Sequence, residues 1–418
     1  MYIRTSKLLI LECAASLFLL GCLTPAQSKI SAKTNPKTSA QLDQKLDAIV
    51  QNVIDQNLVV GLVLLVKQDG KLLYKRAAGF IDKEKGLAMP ENAIFRYSSM
   101  SKAITTATAL ELQKDGVLNM TDPVSKYLPY FTPKTKEGET PVITLEELAS
   151  HTSGLDYPFI EQPDGPYHQA NICDGFTDNK VTSDQNLRKL ATMPLLFPPG
   201  KGFRYSLGLD VLAEVIEKAT GAPLEKSVIA KIGKPLMMKS LTFTVKKDHV
   251  SRLTLPYYNT TSGAKLMGKN QFIPYGHSGF VFSPARAMNK NAFQSGGSGL
   301  CGTAYDYMRF IESMQKDPEM CKVRSKGYPI NFDKGWSFGY CGAILTDCIL
   351  AQTPQNPGTI FWGGVYGHTW FSDPKAKISV VCMTNTTPYT LQGGFPEAVR
   401  DVVYNYLIEK KTEKEVLK

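Results

Sequence analysis

Histidine is sparse in this chain, five in 418 residues, and neither a C-x-x-C pair nor a His/Cys cluster at metal-ligand spacing occurs, so no metal site is expected. The sequence also lacks G-x-S-x-G, H-E-x-x-H and G-x-x-x-x-G-K-[ST]. Those absences set aside the nucleophile elbow, the zinc-protease helix and the phosphate loop. Beyond the N-terminus no apolar run approaches the ~20 residues of a membrane-spanning helix. Basic residues exceed acidic ones, 48 to 38, but the excess of +10 is spread along the chain. Part of it sits in a Lys-rich C-terminus (Lys410, Lys411, Lys414, Lys418) with Glu interleaved. No basic stripe marks a nucleic-acid surface. With 43% hydrophobic and 21% charged residues, a disordered or collagen-like chain is excluded. The length allows two or three domains, or one large domain with an insertion.

The N-terminus reads as an export signal. Arg4 and Lys7 precede an apolar stretch, Leu8 to Leu20, interrupted by Glu12. Two processing routes compete over residues 1–28. Leu19-Leu20-Gly21-Cys22 resembles a bacterial lipoprotein box, which would put a lipid on Cys22 and tether the chain to a membrane. Cleavage near Ala26 or Ser28 would release a periplasmic or secreted protein instead. Polar residues 29–40 read as a linker. The remaining cysteines are Cys173, Cys301, Cys321, Cys341, Cys348 and Cys382. Cys341 and Cys348 are the nearest candidates for a disulfide, and buried free thiols are the expectation.

Residues 41–56 carry apolar side chains at helical spacing (Leu42, Leu46, Ile49, Val50, Val53). Val59–Lys67 and Leu72–Ala78 read as strands turning at Asp69-Gly70. Residues 97–330 are mainly helical with long loops. Strand patterns return from Trp336, in Thr359–Gly364, His368–Ser372 and Ile378–Asn385, before a closing helix around Val399–Leu407 and a charged tail at 411–418. The expected class is α+β. One antiparallel sheet is built from both chain ends, flanked by helices, with a helical insertion; residues 41–410 form the domain.

Ser-x-x-Lys is the pattern that carries chemistry, and context must select among its four occurrences, at Ser99, Ser262, Ser313 and Ser372. Ser372/Lys375 spans an Asp-Pro turn, Ser262/Lys265 a Gly-containing loop, and Ser313/Lys316 a helix end with a solvated lysine. Ser99 alone opens a small, apolar helical run that ends at Asp115-Gly116. Unpaired N–H groups and the dipole at a helix start favour developing negative charge. Spacing i to i+3 puts Lys102 on the same face as the hydroxyl. A capping serine with a surface lysine is the plain alternative. Phe203-Arg204-Tyr205-Ser206 follows Pro198-Pro199-Gly200 and opens another amphipathic helix. A tyrosine at such a junction, beside a lysine, can act as a base, or simply pack. In Trp362-Gly363-Gly364-Val365, paired glycines in a strand let a substrate lie against the backbone, or let sheet and helix pack closely. Gly297-x-Gly299-x-x-Gly302 matches the dinucleotide pattern but lacks a preceding strand, so it reads as a turn feeding a helix.

Taken in order, these segments resemble the serine hydrolases of the β-lactamase and penicillin-binding type, in particular the class C branch that includes the family VIII carboxylesterases. The resemblance spans roughly residues 40–410. Phe95-Arg96-Tyr97-Ser98-Ser99-Met100-Ser101-Lys102 resembles the first motif, and Leu148-Ala149-Ser150-His151-Thr152-Ser153-Gly154-Leu155 the LLTHTSGL stretch. Tyr205-Ser206 resembles the second motif, and Gly296-Gly297-Ser298-Gly299-Leu300 the family's Gly-rich turn. Trp362-Gly363-Gly364 stands where β-lactamases carry Lys-Thr-Gly.

The resemblance implies a β-lactamase-like fold and an acyl-enzyme on Ser99, with Lys102 and Tyr205 moving the proton and the N–H groups of Ser99 and Val365 holding the oxyanion. It implies no cofactor, and a small-molecule ester or amide substrate bound near Trp362, Gly363, Gly364 and Leu207. Two departures bear on substrate. Leu207 replaces the Asn of Tyr-x-Asn, and Trp362 replaces a carboxylate-binding lysine. Both favour a carboxylesterase on small or medium acyl esters over a β-lactamase or D-amino-acid peptidase. Intact Ser99, Lys102 and Tyr205 argue against a scaffold that has lost turnover. His151 and His368 fall in family-like segments and are expected to be structural, although His368 could line the pocket.

Overall fold

A computed structural model describes residues 36–416, apart from residues 179, 326, 329, 331–333 and 393. The leader, Cys22 and most of the expected linker lie outside the described residues. The N-terminal helix is Pro36–Asp55, beginning five residues before the amphipathic pattern and so taking in the end of that linker.

The main sheet contains β1 (Gly61–Gln68), β2 (Lys71–Asp82), β3 (Leu87–Ala88), β4 (Trp336–Phe338), β5 (Ala343–Leu345), β6 (Ile360–Gly364), β7 (His368–Asp373) and β8 (Ile378–Thr384). Their spatial order is β4-β5-β6-β7-β8-β1-β2-β3, antiparallel throughout. The two chain ends meet where β1 pairs β8, with Leu64 opposite Cys382 and Val66 opposite Val380. β1 and β2 turn at Asp69 and Gly70, whose φ of 50° and 74° match the right-handed twist of a hairpin.

Both faces of β1 are covered, which is why its sequence is a continuous apolar run rather than an alternation. Leu62, Leu64 and Val66 pack with Leu42, Leu46 and Val50 of the N-terminal helix and with Val399 and Val403 of the C-terminal helix. Val63 and Leu65 face the opposite way, into the larger core with Met100, Ile104, Met308 and Trp370. The C-terminal helix runs from Phe395 to Val416. The expected charged tail is therefore helical through residue 416, because apolar positions Val399, Val403 and Tyr406 hold its start against the sheet.

Residues 97–330 contain the helices Ser101–Lys114, Gly208–Thr220 and Ala304–Met314. They also contain strands that the sequence reading left out: hairpins at Tyr257–Thr260/Gly263–Leu266 and Gln271–Tyr275/Ser278–Phe282. These strands are short and half exposed, with Phe272 and Val281 at the surface, so they carry no clear alternation. All six cysteines from Cys173 to Cys382 are free thiols, and Cys341 and Cys348 are not joined.

Candidate active site

The segment before Ser99 is pinned on three sides. Phe95–Arg96 pairs with Cys301–Gly302, the Tyr97 N–H donates to Leu300 O at 2.8 Å, and the Tyr97 hydroxyl donates to Thr303 O at 2.7 Å. The buried Arg96 guanidinium reaches the carbonyls of Pro284 and Thr254. Ser98 then takes a left-handed φ of 55°, an uncommon conformation for a residue with a Cβ. That sharp reversal presents Ser99 in a 3₁₀ turn, Ser98–Met100, which runs straight into the helix Ser101–Lys114. Such strain persists only where the surroundings over-determine it, and it concentrates at functional sites.

Lys102 is buried, with Nζ 3.4 Å from Ser99 Oγ and donating to Gly297 O at 2.9 Å. The surface-lysine alternative therefore fails. Its ammonium lies over two aromatic rings, 4.7 Å from the centroid of Tyr205 and 5.2 Å from that of Tyr157. The Tyr205 hydroxyl is buried and has no hydrogen-bond partner among the described residues, which leaves it open to a reacting group. Serine, lysine and tyrosine thus converge from the starts of two helices.

Tyr205 is held by its neighbours. Arg204 forms a bidentate ion pair with buried Asp156, at 2.6 and 2.9 Å, and its N–H donates to His151 O. The Ser206 N–H donates to His151 Nδ1 at 3.1 Å. The His151 ring packs 4.5 Å from that of Tyr205. Burial, with the Lys102 charge as a second cause, holds His151 well below the usual imidazole range and hence neutral. His368 is likewise buried and structural. Its Nε2–H donates to Arg96 O at 2.8 Å and its Nδ1 accepts from Thr384 N at 3.2 Å, so the tautomer is fixed by the two backbone partners. Neither histidine borders the cavity beside Ser99.

That cavity measures about 540 Å³ and is bordered by Ser99, Tyr205, Trp362, Gly363, Gly364 and Val365, with Phe159, Phe203, Tyr275, Phe280 and Phe361 adding aromatic walls. The Trp362 ring lies 5.3 Å from that of Tyr205 and 5.0 Å from that of Phe338. Both readings of the glycine pair hold: Gly363 and Gly364 border the cavity, and a Cβ on Gly364 would come within 2.4 Å of Tyr97 O. The expectation for Leu207 is corrected. It is fully buried at the start of the helix Gly208–Thr220 and does not border the cavity, because its side chain joins the apolar core.

Three residues that the sequence reading missed complete the surroundings of Lys102. Asp210 is buried, and its Oδ1 accepts from Ser295 Oγ at 2.5 Å. Burial pushes its carboxyl above the usual range, opposed by the Ser295 hydrogen bond and the Lys102 charge. Tyr157 is fully buried, its phenol pushed well above the usual range by burial and then by Asp210. The Gly-rich turn is explained here. A Cβ on Gly297 would lie 2.6 Å from Asp210 Oδ2 and 3.4 Å from Lys102 Nζ, so a side chain there would fill the space around the ammonium. The turn leads through Cys301–Gly302 into the helix Ala304–Met314. An acidic residue among the apolar neighbours Leu209, Val211 and Leu212, five positions after Tyr205, was the available signal for Asp210.

The Beta-lactamase family profile matches residues 46–401. The chain belongs to that family. It is 37% identical over 378 residues to Esterase EstB of Burkholderia gladioli, covering 88% of this chain and 96% of that protein. Among solved structures, EstCE1, a hydrolase with promiscuous acyltransferase activity, superposes with a TM-score of 0.83 at 35% identity over 88% of this chain and all of that one. The β-lactamase/D-alanine carboxypeptidase of Yersinia pestis shares the fold, with a TM-score of 0.65 at 21% identity over 88% of this chain and 99% of that one. The expected β-lactamase-like fold and family are thereby borne out.

Proposed function

We propose that this protein is a carboxylesterase that forms an acyl-enzyme on Ser99. The observation that carries the reading is the placement of buried Lys102 beside both Ser99 Oγ and the Tyr205 ring, the two residues that border an aromatic cavity. The esterase relatives support the substrate class.

In this scheme Ser99 Oγ attacks the ester carbonyl while Tyr205 and Lys102 accept its proton. The Ser99 and Val365 N–H groups hold the oxyanion. As the tetrahedral intermediate collapses, the ester C–O bond breaks and the alcohol leaves with the proton returned through Tyr205. Water then attacks the acyl carbon by the same proton route, releasing acid and regenerating Ser99. The scheme requires no metal or organic cofactor.

A second reading, β-lactam or D-amino-acid peptide hydrolysis, is supported by AmpH, the D-alanyl-D-alanine-carboxypeptidase/endopeptidase of Escherichia coli K12, 29% identical over 58% of this chain and 57% of that protein. Against it stands the lining of the cavity. Arg204 is its one cation among the described residues and is already paired with Asp156, and Trp362 stands where the family's carboxylate-binding lysine would be. Rates on p-nitrophenyl butyrate and nitrocefin, with Ser99→Ala as control, separate the two. Fast ester and negligible nitrocefin turnover are expected; the reverse order would put the second reading first. We extend the proposal to location, with residues 1–28 containing an export signal that is processed at the lipoprotein box, so that Cys22 stays on the mature chain as the lipid site. Membrane fractionation of the parent and Cys22→Ala chains tests it, and release of the variant alone to the soluble fraction is expected.

A further inference from the structure

A second cavity, of about 450 Å³, lies against the opposite face of the main sheet. Its floor is apolar: Phe371, Val380 and Cys382 from β7 and β8, and Phe395 and Val399 from the C-terminal helix, all buried. It exists because the two terminal helices pack chiefly over β1 and β8, leaving the same face of β6 partly bare, with Phe361 only half-buried.

The two cavities share Phe361, Trp362, Gly363 and Leu391. Phe361 and Gly363 fall on one face of β6 by the two-residue alternation. Gly363 puts no side chain there; a Cβ at that position would come 2.4 Å from His368 O on the neighbouring strand and 3.8 Å from Leu391 Cδ2, so the space left open lies on the Leu391 side. β5 pairs with β6 only at Ile360 and Phe361, so among the described residues no strand pairs with that edge of β6 from Trp362 to Gly364. Leu391, 38% exposed on the short helix Tyr389–Gln392, is the one flexible side chain common to both cavities. Each volume alone is in the range of a small-molecule site.

Resting on the ester-hydrolase reading, we propose that the second cavity receives the distal apolar chain of the acyl group, threaded from Ser99 past Gly363 and beneath Leu391, so that the substrate range extends beyond the small or medium acyl esters expected from the sequence to esters of longer aliphatic acids. The acyl chain, and not the alcohol, is the occupant because it continues from the carbonyl held against β6 and stays on Ser99 after the alcohol has left. Burial of added methylenes is favourable where they meet apolar wall, which the floor of Phe371, Val380, Cys382, Phe395 and Val399 supplies, while Gln355, Glu397 and Arg400 border the remainder of the cavity.

Thr369 borders the second cavity but not the one beside Ser99, and it pairs with Gly363 across the sheet. Thr369→Trp fills the path, and Leu391→Ala widens it. The reading is the ratio of kcat/KM for p-nitrophenyl laurate to that for p-nitrophenyl acetate, which is independent of the fraction of folded enzyme. Thr369→Trp is expected to lower the ratio at least about tenfold and Leu391→Ala to raise it. Calorimetric binding of laurate to Ser99→Ala, with and without Thr369→Trp, reads the cavity without turnover; a loss of about tenfold in affinity is expected. Unchanged ratios or unchanged laurate affinity would overturn the proposal. A parent chain that cleaves neither ester would refute the esterase reading alone, since laurate binding would still decide the cavity.

Discussion

Replacing Gly364 by alanine tests how the nucleophile is positioned. A Cβ there would lie 2.4 Å from Tyr97 O, 3.1 Å from His368 Cδ2 and 3.4 Å from Ser98 Cβ. Ordinary contact begins at 3.4 Å, so strand and carbonyl must separate by about 1 Å. β6 is fixed by its ladder to β7, and Tyr97 by its bonds to Leu300 and Thr303. The softest element between them is the strained turn at Ser98, and it carries Ser99. Overpacking of this kind costs about 1–3 kcal/mol of stability, and a displacement of about 1 Å at a reacting atom costs on the order of 10²-fold in rate. Steady-state hydrolysis of p-nitrophenyl butyrate beside a urea unfolding curve separates the two effects. A Gly364→Ala protein with kcat/KM within about threefold of the parent and an unmoved midpoint would show that the contact between Gly364 and Tyr97 O does not position Ser99.

Lys102→Ala and Tyr205→Phe should each lower kcat by about 10²–10⁴-fold, the usual worth of positioned proton transfer; a variant that retained most of its rate would remove that residue from the proton path. Ser295→Ala withdraws the hydroxyl that donates to Asp210 and should cost about 1–3 kcal/mol by urea denaturation, the penalty of leaving a buried acceptor without its partner. His368 is pushed down to about 4 from 6.5 by burial, its bond to Arg96 opposing. Its contribution is therefore complete above about pH 6.5 and is lost as pH falls toward 4, because there the unfolded chain takes up a proton that the folded chain refuses, a change of about 3 kcal/mol. Asp174, raised to about 6 by burial, acts in the opposite direction, so the comparison is between parent and His368→Gln. The variant should lose less stability between pH 6.5 and 4, and parallel curves would contradict the assignment.

The parts of the molecule legible in the sequence are those governed by local spacing. Ser99 and Lys102 share one turn at a helix start, Asp69-Gly70 names its own turn, and β1 and β8 carry the apolar runs Leu62–Val66 and Val380–Met383 that mark them as strands. Partners brought together by the fold were not legible. Asp210, Tyr157 and Ser295 gather around Lys102 from segments more than fifty residues away, and each alone is an unremarked side chain. The Gly297 turn matched a dinucleotide pattern in letters, while its physical purpose, a carbonyl for the Lys102 ammonium, appears only once the two segments meet. Leu207 follows the same logic in reverse: two positions after Tyr205 it turns into the core. The hairpins between Tyr257 and Phe282 were hidden because strands of four or five half-exposed residues have too short a period to stand out.

The most direct test of the account is mass analysis of the chain after brief reaction with p-nitrophenyl acetate and an acid quench. One acetyl group on the peptide containing Ser99, absent from Ser99→Ala and from the fully turned-over enzyme, is the predicted result. Ester turnover with no acyl adduct, or with an adduct that survives in Ser99→Ala, would contradict it.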